Sequence, residues 1–326
     1  MKEKAVVITG KEKAELGDIE NPGLPGPEEI LGRTICTLVS PGTELASSYC
    51  GEKFPSFPGY AAVARVETIG KSVTRFREGD VFFCEGGHRS FHLVKEVNAV
   101  PVAGGLAPEK AVLCRLMGVS MTTLMTTPAR PGDMVIISGA GPVGYLASQI
   151  FNLSGYDVVV VEPLQERREN VSLAGIPRVF SEMPLHVTDI AGKVALVVEC
   201  SGNESAVLDA CRVVRKRGEV VLVGVPWKRQ TDIYAHEILH AVFHRWVVLR
   251  SGWEWELPRY AVDFQPHGII TGYETALRWL AGGKIFTEGL ISIAEPAEAQ
   301  VVYQALLHRK NESLFAVFDW TADRGK

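Results

Sequence analysis

The amino-acid sequence predicts an α/β protein with two domains, one a compact β-barrel and the other a doubly wound parallel sheet of six strands. The chain has 326 residues, which is more than one typical domain contains. Short strand candidates separated by glycine and proline dominate as far as about Gly104. From Met134 onward, strand and helix patterns alternate, which is typical of a parallel sheet with helices on both faces.

Closely spaced turns in the N-terminal third of the sequence predict the barrel-like domain. Its strand candidates are Ala5–Thr9, Ile30–Val39, Ala61–Ile69, Val81–Cys84, Phe91–Val94 and Ala99–Val102. Between about Pro108 and Pro128, longer apolar runs with helical spacing predict the connection into the second domain.

The central part predicts the doubly wound sheet. Its strand candidates are Met134–Ser138, Asp157–Glu162, Arg178–Phe180, Ala195–Glu199, Glu219–Gly224 and Trp246–Arg250. Its helix candidates are Val143–Ser154, Gln165–Leu173, Glu204–Lys216 and Ala235–His244, and the poorly patterned Ser181–Lys193 predicts a loop. After about Gly252, helices are expected at Tyr273–Ala281 and Pro296–Leu307, with strands near Leu290–Ile293 and at Leu314–Trp320.

A glycine-rich turn after the first central strand predicts a dinucleotide site. Its residues are Gly139, Ala140, Gly141, Pro142, Val143 and Gly144, in a Gly-x-Gly-x-x-Gly pattern. Gly139 permits the tight turn, Gly141 lets the backbone approach a pyrophosphate, and Gly144 lets the next helix pack closely on the strand. The second strand ends in Glu162, 18 positions beyond Gly144, near the spacing at which a carboxylate meets the adenosine ribose.

Composition favours an ordinary globular protein. The hydrophobic share is 46%, the charged share 22% and the formal charge −4, which exclude a disordered or fibrous class and give no electrostatic case for nucleic acid or an anionic membrane. The six cysteines contain no Cys-x-x-Cys pair. A signal-peptide hydrophobic region and an apolar run of about 18 residues are both missing from the sequence, so a cytoplasmic location is expected.

Several further motifs resemble, in type and in order along the chain, those of the medium-chain dehydrogenases/reductases, a superfamily that includes zinc alcohol dehydrogenases and quinone reductases. They are Gly79-Asp80-Val81, Pro131-Gly132-Asp133, the Glu162, Arg167 and Gly175 spacing, Glu199-Cys200-Ser201-Gly202, Gly218 with Gly224, and Ala281-Gly282-Gly283-Lys284. The resemblance implies a Rossmann domain over 116–251 and a GroES-like catalytic domain formed by 1–115 and 252–326. It also implies cofactor contacts from Arg167, Cys200, Ser201 and Gly224.

The zinc ligands of that family are not matched here. Pro41 stands where zinc members carry a cysteine, and Tyr60 stands where they carry a histidine. Only Cys114, 25 residues before Gly139, has the spacing of the third ligand, and one thiolate does not hold catalytic zinc. The four-cysteine structural zinc loop is also absent, since only Cys84 falls between Asp80 and Val94. A zinc-independent member with no metal site is therefore expected.

Without zinc, hydrogen-bond donors must stabilise the developing oxygen charge. The resemblance points to Tyr60 and to Thr43, which stands where zinc members keep a proton-relay hydroxyl. Tyr60 either donates to a substrate carbonyl or fills the volume of the metal. Glu44 either holds Thr43 or a neighbouring turn in place or is a helix-start carboxylate. Cys114 is a vestigial ligand, a nucleophile or, as free cysteines usually are, buried packing.

Cofactor choice follows from Glu162, because a carboxylate there bonds a free 2′-hydroxyl and repels a 2′-phosphate. NAD(H) is favoured over NADP(H), although Arg167 and Arg168 follow one turn later and keep NADP(H) open.

One motif competes with this interpretation. His236-Glu237-Ile238-Leu239-His240 matches the His-Glu-x-x-His of zinc proteases, and His244 follows one turn later. Its place between the fifth and sixth strands favours instead a half-exposed histidine ridge, a cleft wall or a subunit interface. The aromatic pair Trp253 and Trp255 either walls a substrate pocket or packs in a core or an interface. Arg250 and Arg259 either bind a substrate anion or form surface ion pairs.

Three functions remain open on the sequence. The first is an NAD(H)-dependent, zinc-independent enzyme that interconverts a secondary alcohol and a ketone in an interdomain cleft, with a small molecule as substrate. In support, 40–44 also resembles the matching segment of the bacteriochlorophyllide hydroxyethyl dehydrogenases. The second is an enoyl or quinone reductase of the same fold, and the third is a non-catalytic nucleotide-binding protein. A homodimer is expected, because Trp246–Arg250 would form a sheet edge open to pairing.

Overall fold

The computed structural model describes residues 3–311 and 313–321. The chain divides into two compact units, one with residues 1–115, 273–283 and 287–326 and the other with residues 116–272 and 284–286. The positions outside the described ranges all fall in the predicted catalytic domain.

The first unit is built on antiparallel strands. They are β1 (Glu3–Gly10), β2 (Lys13–Ile19), β3 (Glu29–Leu38), β4 (Ala62–Ile69), β5 (Val81–Cys84), β6 (Phe91–Lys95), β7 (Val100–Pro101), β14 (Ile291–Ala294) and β15 (Phe315–Asp319). Seven of them form one sheet in the order β14-β15-β3-β4-β5-β7, with β6 also paired to β3. Strands β1 and β2 form a separate hairpin. Among the strand pairs within the described part of this unit, β14 and β15 alone run parallel.

The helices of the first unit are short. They are α1 (Pro41–Glu44), which continues into a π-helix at Leu45–Tyr49, then α2 (Pro108–Ala111) and α9 (Ala299–Leu307), with single 3-10 turns at Glu96–Asn98 and Pro296–Glu298. Helix α9 packs Tyr303 against Tyr49 and Phe318, with centroid distances of 5.0 and 6.4 Å. This apolar cluster lies on one side of Glu44, the last residue of α1.

The second unit is a doubly wound sheet of six parallel strands, as predicted. Its strands are β8 (Met134–Ser138), β9 (Asp157–Val161), β10 (Arg178–Phe180), β11 (Val194–Glu199), β12 (Val214–Leu222) and β13 (Val248–Ser251), in the order β10-β9-β8-β11-β12-β13. Its helices are α4 (Pro142–Leu153), α5 (Gln165–Leu173), α6 (Glu204–Val213) and α7 (Ala235–Arg245). Helices α3 (Cys114–Thr126) and α8 (Ile269–Ala281) contain residues of both units.

The register of this sheet brings the carboxyl ends of its central strands together. Ser138 pairs with Val161 on one side and with Glu199 on the other, and Glu199 pairs with Leu222. The loops that follow β8, β9, β11 and β12 therefore meet at one edge, where open α/β sheets bind their ligands.

Three local expectations differ from the structure. Strand β2 was not predicted, because most of its side chains are exposed or half-buried and give a weak alternation. The predicted helix Glu204–Lys216 ends at Val213, since Val214 already pairs with Val194 in the sheet. Residues 252–272, which the prediction placed with the N-terminal domain, lie in the second unit, and Gly252 N donates to the carbonyl oxygen of Leu222, the last residue of β12. Within the described ranges, no helix combines the length and the apolar character that a membrane span requires.

Candidate active site

The first unit brings three hydroxyl side chains together at Tyr60. The Tyr60 phenol donates to Ser40 Oγ, and the Thr43 side chain also hydrogen-bonds to the phenol. Ser40 is buried and immediately precedes α1, whereas Tyr60 and Thr43 are half-buried. Because a phenol donates one hydrogen bond and accepts others, Tyr60 can hold both hydroxyls at once. Of the predicted catalytic residues, Tyr60 and Thr43 therefore share one cluster.

Glu44, the third predicted residue, lies at the centre of a buried network. Its side chain is 2% exposed. Oε1 accepts from the Ser40 backbone N–H at 2.7 Å, and Oε2 accepts from the Tyr303 hydroxyl at 2.5 Å and faces His88 Nε2 at 2.9 Å. Since the Ser40 backbone N–H binds Glu44 and the Ser40 hydroxyl accepts from Tyr60, the carboxylate fixes the turn that carries this hydroxyl.

His88 is a residue that the sequence analysis missed. It is 1% exposed, and its two ring nitrogens contact Glu44 and Thr37, with Nδ1 at 2.8 Å from Thr37 Oγ1. Thr37 Oγ1 also accepts from Trp320 Nε1 at 3.0 Å. A carboxylate only accepts, so His88 carries a proton on Nε2, and in the neutral ring Thr37 donates to Nδ1. Every polar atom of the imidazole therefore has a partner.

A glycine next to Tyr60 explains how this packing is possible. Gly59 has φ +95°, and a Cβ there would lie 2.7 Å from the backbone nitrogen of His88. Only glycine adopts this conformation without strain and permits this approach. No local sequence signal identifies His88 itself, because its partners come from distant parts of the chain.

A buried cation, Arg115, packs on the ring of Tyr60. Its side chain is at the start of α3 and 5% exposed, and its guanidinium carbon lies 4.5 Å from the Tyr60 ring centroid. Glu85 Oε1 is 3.9 Å from Arg115 Nε. Burial raises the pKa of the Tyr60 phenol, and the charge of Arg115 opposes that rise. Sequence analysis did not single out Arg115, although it directly follows Cys114.

The side chains present do not fit a catalytic zinc site. Tyr60, at the position of the histidine ligand, is committed to hydroxyl partners, and Pro41 supplies no donor atom. Cys114 is fully buried, and burial raises the pKa of its thiol well above the usual range, which disfavours the thiolate that zinc requires. Within 3–311 and 313–321, no three His, Cys, Asp or Glu side chains are grouped so that they could hold a metal ion.

In the second unit, the glycine-rich turn has the geometry of a phosphate-binding loop. Gly139 has φ +90°, and a Cβ on Gly144 would overlap the carbonyl oxygen of Gly139. Gly141 caps α4 and Pro142 occupies its first turn. The first-turn N–H groups of Val143 and Gly144 have no acceptor within the helix, so this helix end suits an anion.

Glu162 lies directly beneath this turn. It is 4% exposed, and its carboxylate accepts from the backbone N–H groups of Ala140 at 2.7 Å and Leu164 at 2.9 Å. Each carboxylate oxygen retains further acceptor capacity. Arg167 NH1 lies 3.8 Å from Glu162 and is close to Gly141, whereas Arg168 donates to the backbone oxygens of Glu162 and Pro163.

The remaining predicted cofactor residues lie at the end of β11 and beyond β12. The Cys200 backbone N–H donates to Ser138 O at 2.8 Å, and Ser201 lies against Gly139. A Cβ on Gly224 would lie 2.5 Å from Gly202 N. These contacts, with those of the glycine-rich turn, bring the predicted cofactor residues to one edge of the sheet.

Glu199 organises this edge from within the sheet. Its carboxylate accepts from Ser201 N at 2.7 Å, from the Ser201 hydroxyl and from Gly202 N at 3.0 Å. Burial raises its pKa, and these hydrogen bonds act in the opposite direction.

The His-Glu-x-x-His segment lies on α7, with three exposed imidazoles. Its ring centroids are 6.0 Å apart for His236 and His240, and 4.2 Å apart for His240 and His244. Glu237 accepts from Tyr234 N at 3.4 Å and so caps its own helix. The glutamate therefore has a structural partner, and the three imidazoles form a ridge that is exposed rather than half-exposed as predicted.

The residues in β13 and directly after it have mixed roles. Arg250 pairs with Glu219 at 3.0 Å and with Glu256 at 2.9 Å, which fits the ion-pair interpretation. Trp253 and Trp255 are 59% and 48% exposed and meet edge to face, so neither is a core residue.

Comparisons with known proteins agree with this fold. Residues 142–252 match the zinc-binding dehydrogenase family. An L-threonine 3-dehydrogenase of Thermococcus kodakarensis is 28% identical over 65% of this chain and 72% of that protein. Among solved structures, acetophenone reductase from Geotrichum candidum in complex with NAD is 16% identical, with a TM-score of 0.78 over 98% of this chain and 97% of that one. A quinone oxidoreductase from Pseudomonas syringae is 20% identical, with a TM-score of 0.77 over 97% and 99%.

Proposed function

We propose that this chain, whose residues 142–252 match the zinc-binding dehydrogenase family and which resembles the medium-chain dehydrogenases, is an NAD(H)-dependent enzyme that interconverts a secondary alcohol and a ketone without zinc. The substrate is a small molecule. Tyr60 and Thr43 bind its reacting oxygen, and Glu44 positions the turn beside them.

The observation that carries this proposal is the Tyr60 cluster. A phenol and two hydroxyls stand where the family resemblance places the metal ligand and the proton relay. When no Lewis acid binds the carbonyl oxygen, hydroxyl donors can stabilise and protonate the negative charge that develops on it during reduction. The side chains around Tyr60 supply such donors and do not supply a tetrahedral ligand set.

A bound nicotinamide coenzyme supplies the hydride in reduction and accepts it in oxidation. As the carbonyl carbon gains the hydride, the Tyr60 O–H turns from Ser40 Oγ to the substrate oxygen and transfers its proton to that oxygen. The resulting phenolate is stabilised by hydrogen bonds from the hydroxyls of Ser40 and Thr43 and regains a proton from water. In the oxidative direction, the same atoms carry the proton the other way. Glu44 does not exchange this proton, because it binds the backbone of Ser40.

The coenzyme is held by the turn that joins β8 to α4. Val143 and Gly144 offer N–H groups to the pyrophosphate, and Glu162 carries the negative charge that favours a ribose hydroxyl over a 2′-phosphate. Arg167 offsets part of that charge. We infer that NAD(H) is preferred and that NADP(H) is used more weakly.

Substitution of Tyr60 by phenylalanine tests the catalytic proposal. Removal of a general acid lowers the rate by about 100-fold to 10,000-fold, so Tyr60→Phe is expected to lower kcat to this extent for a ketone that the unaltered protein reduces. NADH affinity, measured by calorimetry, should stay unchanged, because the coenzyme contacts lie elsewhere in the chain. Thr74→Val removes an exposed hydroxyl outside the cluster and serves as the control. Unchanged kcat in Tyr60→Phe would remove the phenol from the reaction, and stoichiometric zinc in the active protein would overturn the metal-free mechanism.

The second candidate is an enoyl or quinone reductase, which the same donor set favours because hydride addition to a conjugated carbon requires no metal. An assay of NADH oxidation with matched saturated ketones and α,β-unsaturated ketones separates the two. Faster turnover of the unsaturated series would select the second candidate. Tight NADH binding without turnover of either series would leave a nucleotide-binding protein.

We also propose that the protein is a homodimer. Strand β13 is an edge of the parallel sheet, and its first residue, Val248, is 45% exposed, whereas Trp246, two residues earlier, is 60% exposed. An edge strand of this kind pairs readily with its copy across a two-fold axis. Val248→Lys should shift the mass measured by light scattering from twice 35.6 kDa toward the monomer value, whereas Val187→Lys, at another exposed valine, should not. A monomeric unaltered protein would end this proposal.

A further inference from the structure

Arg115 brings a full positive charge into the interior of the first unit. Its side chain is 5% exposed, and its guanidinium carbon stands 4.5 Å from the ring centroid of Tyr60 and 5.9 Å from that of Tyr273. A desolvated guanidinium over an aromatic face interacts more strongly than an exposed one. The fixed position of Arg115 therefore couples its charge to the phenol that the proposed reaction uses.

The charged groups around Tyr60 differ in sign and distance. Arg115 is the cation in contact with the ring, and Glu44 is the anion whose charge also acts on the phenol. Glu85 lies 3.9 Å from Arg115 and accepts a hydrogen bond from Tyr273 at 2.7 Å. Because Glu44 is saturated by Ser40, Tyr303 and His88, its charge is spread over three donors. Of these charges, Arg115 lowers and Glu44 raises the pKa of the Tyr60 phenol, and Glu85 lies beside Arg115.

We propose that Arg115 is the positioning residue that performs, through Tyr60, the electrostatic task of a metal cation. When the O–H bond of Tyr60 breaks and a new O–H bond forms on the substrate oxygen, the phenolate left behind is stabilised by the guanidinium. Arg115 itself exchanges no proton and touches no substrate. This inference rests on the proposed function, since it assigns a role to the same site.

The phenol of Tyr60 supports this inference by its surroundings. Burial raises its pKa, and the largest opposing influence is the charge of Arg115. An opposite charge within about 4–6 Å shifts a pKa by about 1 to 3 units. Loss of Arg115 should therefore leave a phenol that ionises much less readily, with little change in the volume that Tyr60 fills.

The test measures the phenol directly and needs neither substrate nor coenzyme. Tyr60 is replaced in the full chain by 3,5-difluorotyrosine, whose more acidic phenol titrates closer to neutral pH, and the ¹⁹F chemical shift is followed against pH. Arg115→Met should raise the fluorophenol pKa by about 1 to 3 units. Arg115→Lys, which keeps the charge, should restore most of the original value. Arg75→Met removes an exposed guanidinium that lies 5.7 Å from the ring centroid of Phe76, and it should have no effect.

A second variant gives a shift of opposite sign and leaves the buried arginine in place. Glu85→Gln keeps an acceptor for Tyr273 but removes the negative charge beside Arg115, so the fluorophenol pKa should fall. An unchanged pKa in folded Arg115→Met, or an unchanged or higher pKa in Glu85→Gln, would overturn the inference. Should Arg115→Met fail to fold, Arg115→Lys and Glu85→Gln decide it.

Turnover separates this inference from the proposed function. If Tyr60→Phe abolishes ketone reduction while Arg115→Met leaves both the fluorophenol pKa and the pH profile of kcat unchanged, the function stands and the role of Arg115 fails. If the pKa shifts as expected but neither alcohol nor ketone is turned over, the electrostatic coupling stands and the proposed reaction fails.

Discussion

Replacement of Glu44 by glutamine tests whether the buried carboxylate holds the first unit together. Glu44 is 2% exposed and serves three donors, at 2.7 Å from Ser40, 2.5 Å from Tyr303 and 2.9 Å from His88. Glutamine keeps one acceptor oxygen and places an NH₂ group against the remaining donors. Each buried donor left without an acceptor costs about 1–3 kcal/mol, and the amide can leave two of the three donors unpaired. We expect Glu44→Gln to lower the free energy of unfolding by about 3 kcal/mol.

The assay is urea denaturation followed by circular dichroism. With m-values of about 1–3 kcal/mol per molar urea, the midpoint should fall by about 1–3 M without a change in m. Glu52→Gln, at an exposed carboxylate, is the matched control and should change stability by less than about 0.5 kcal/mol. If Glu44→Gln unfolds at the same urea concentration as Glu52→Gln, the three hydrogen bonds do not stabilise the fold and the reasoning is refuted.

Three further predictions concern other positions. Gly144→Ala should weaken NADH binding at least tenfold in calorimetry, because the added Cβ would overlap the carbonyl oxygen of Gly139. Gly272→Ala is the control and should bind NADH normally, because its added Cβ would have 4.0 Å to the nearest atom. Equal NADH affinities of the two variants would remove Gly144 from the site. Glu162→Gln should lower the KM for NADPH relative to that for NADH by about tenfold, or about 1.4 kcal/mol, and an unchanged ratio would contradict the assignment of coenzyme preference. Burial lowers the pKa of His92 from 6.5 to about 3, so below pH 6.5 the unfolded chain binds a proton that the folded chain does not. The free energy of unfolding should therefore decrease by about 1.4 kcal/mol for each unit by which the pH falls from 6.5 to about 3. His92→Phe should reduce that slope in urea titrations at several pH values, and parallel slopes would show that another group is responsible.

Strongly periodic segments were predictable from the sequence. Strand β8 lies where the pattern places it, and α4 begins at Pro142, one residue before its predicted start, because an apolar run and a glycine-rich turn specify the local structure. The end of α6 was not predictable, since Val214 leaves the helix only to pair with Val194 in a neighbouring strand. Strand β2 was likewise hidden, because its hairpin partner buries few of its side chains.

The candidate site divides in the same way. The sequence by itself determined the glycine-rich turn between β8 and α4, because its residues are consecutive along the chain, and it predicted the missing metal ligands from the residue types at Pro41 and Tyr60. Only the tertiary structure decided what surrounds Tyr60 and Glu44. His88 and Tyr303 contact Glu44 although they lie 44 and 259 residues from it along the chain, and Arg115, at the start of α3, packs on the Tyr60 ring. Local periodicity reports on neighbours in sequence, whereas a buried charge finds its partners through packing, which no local pattern records.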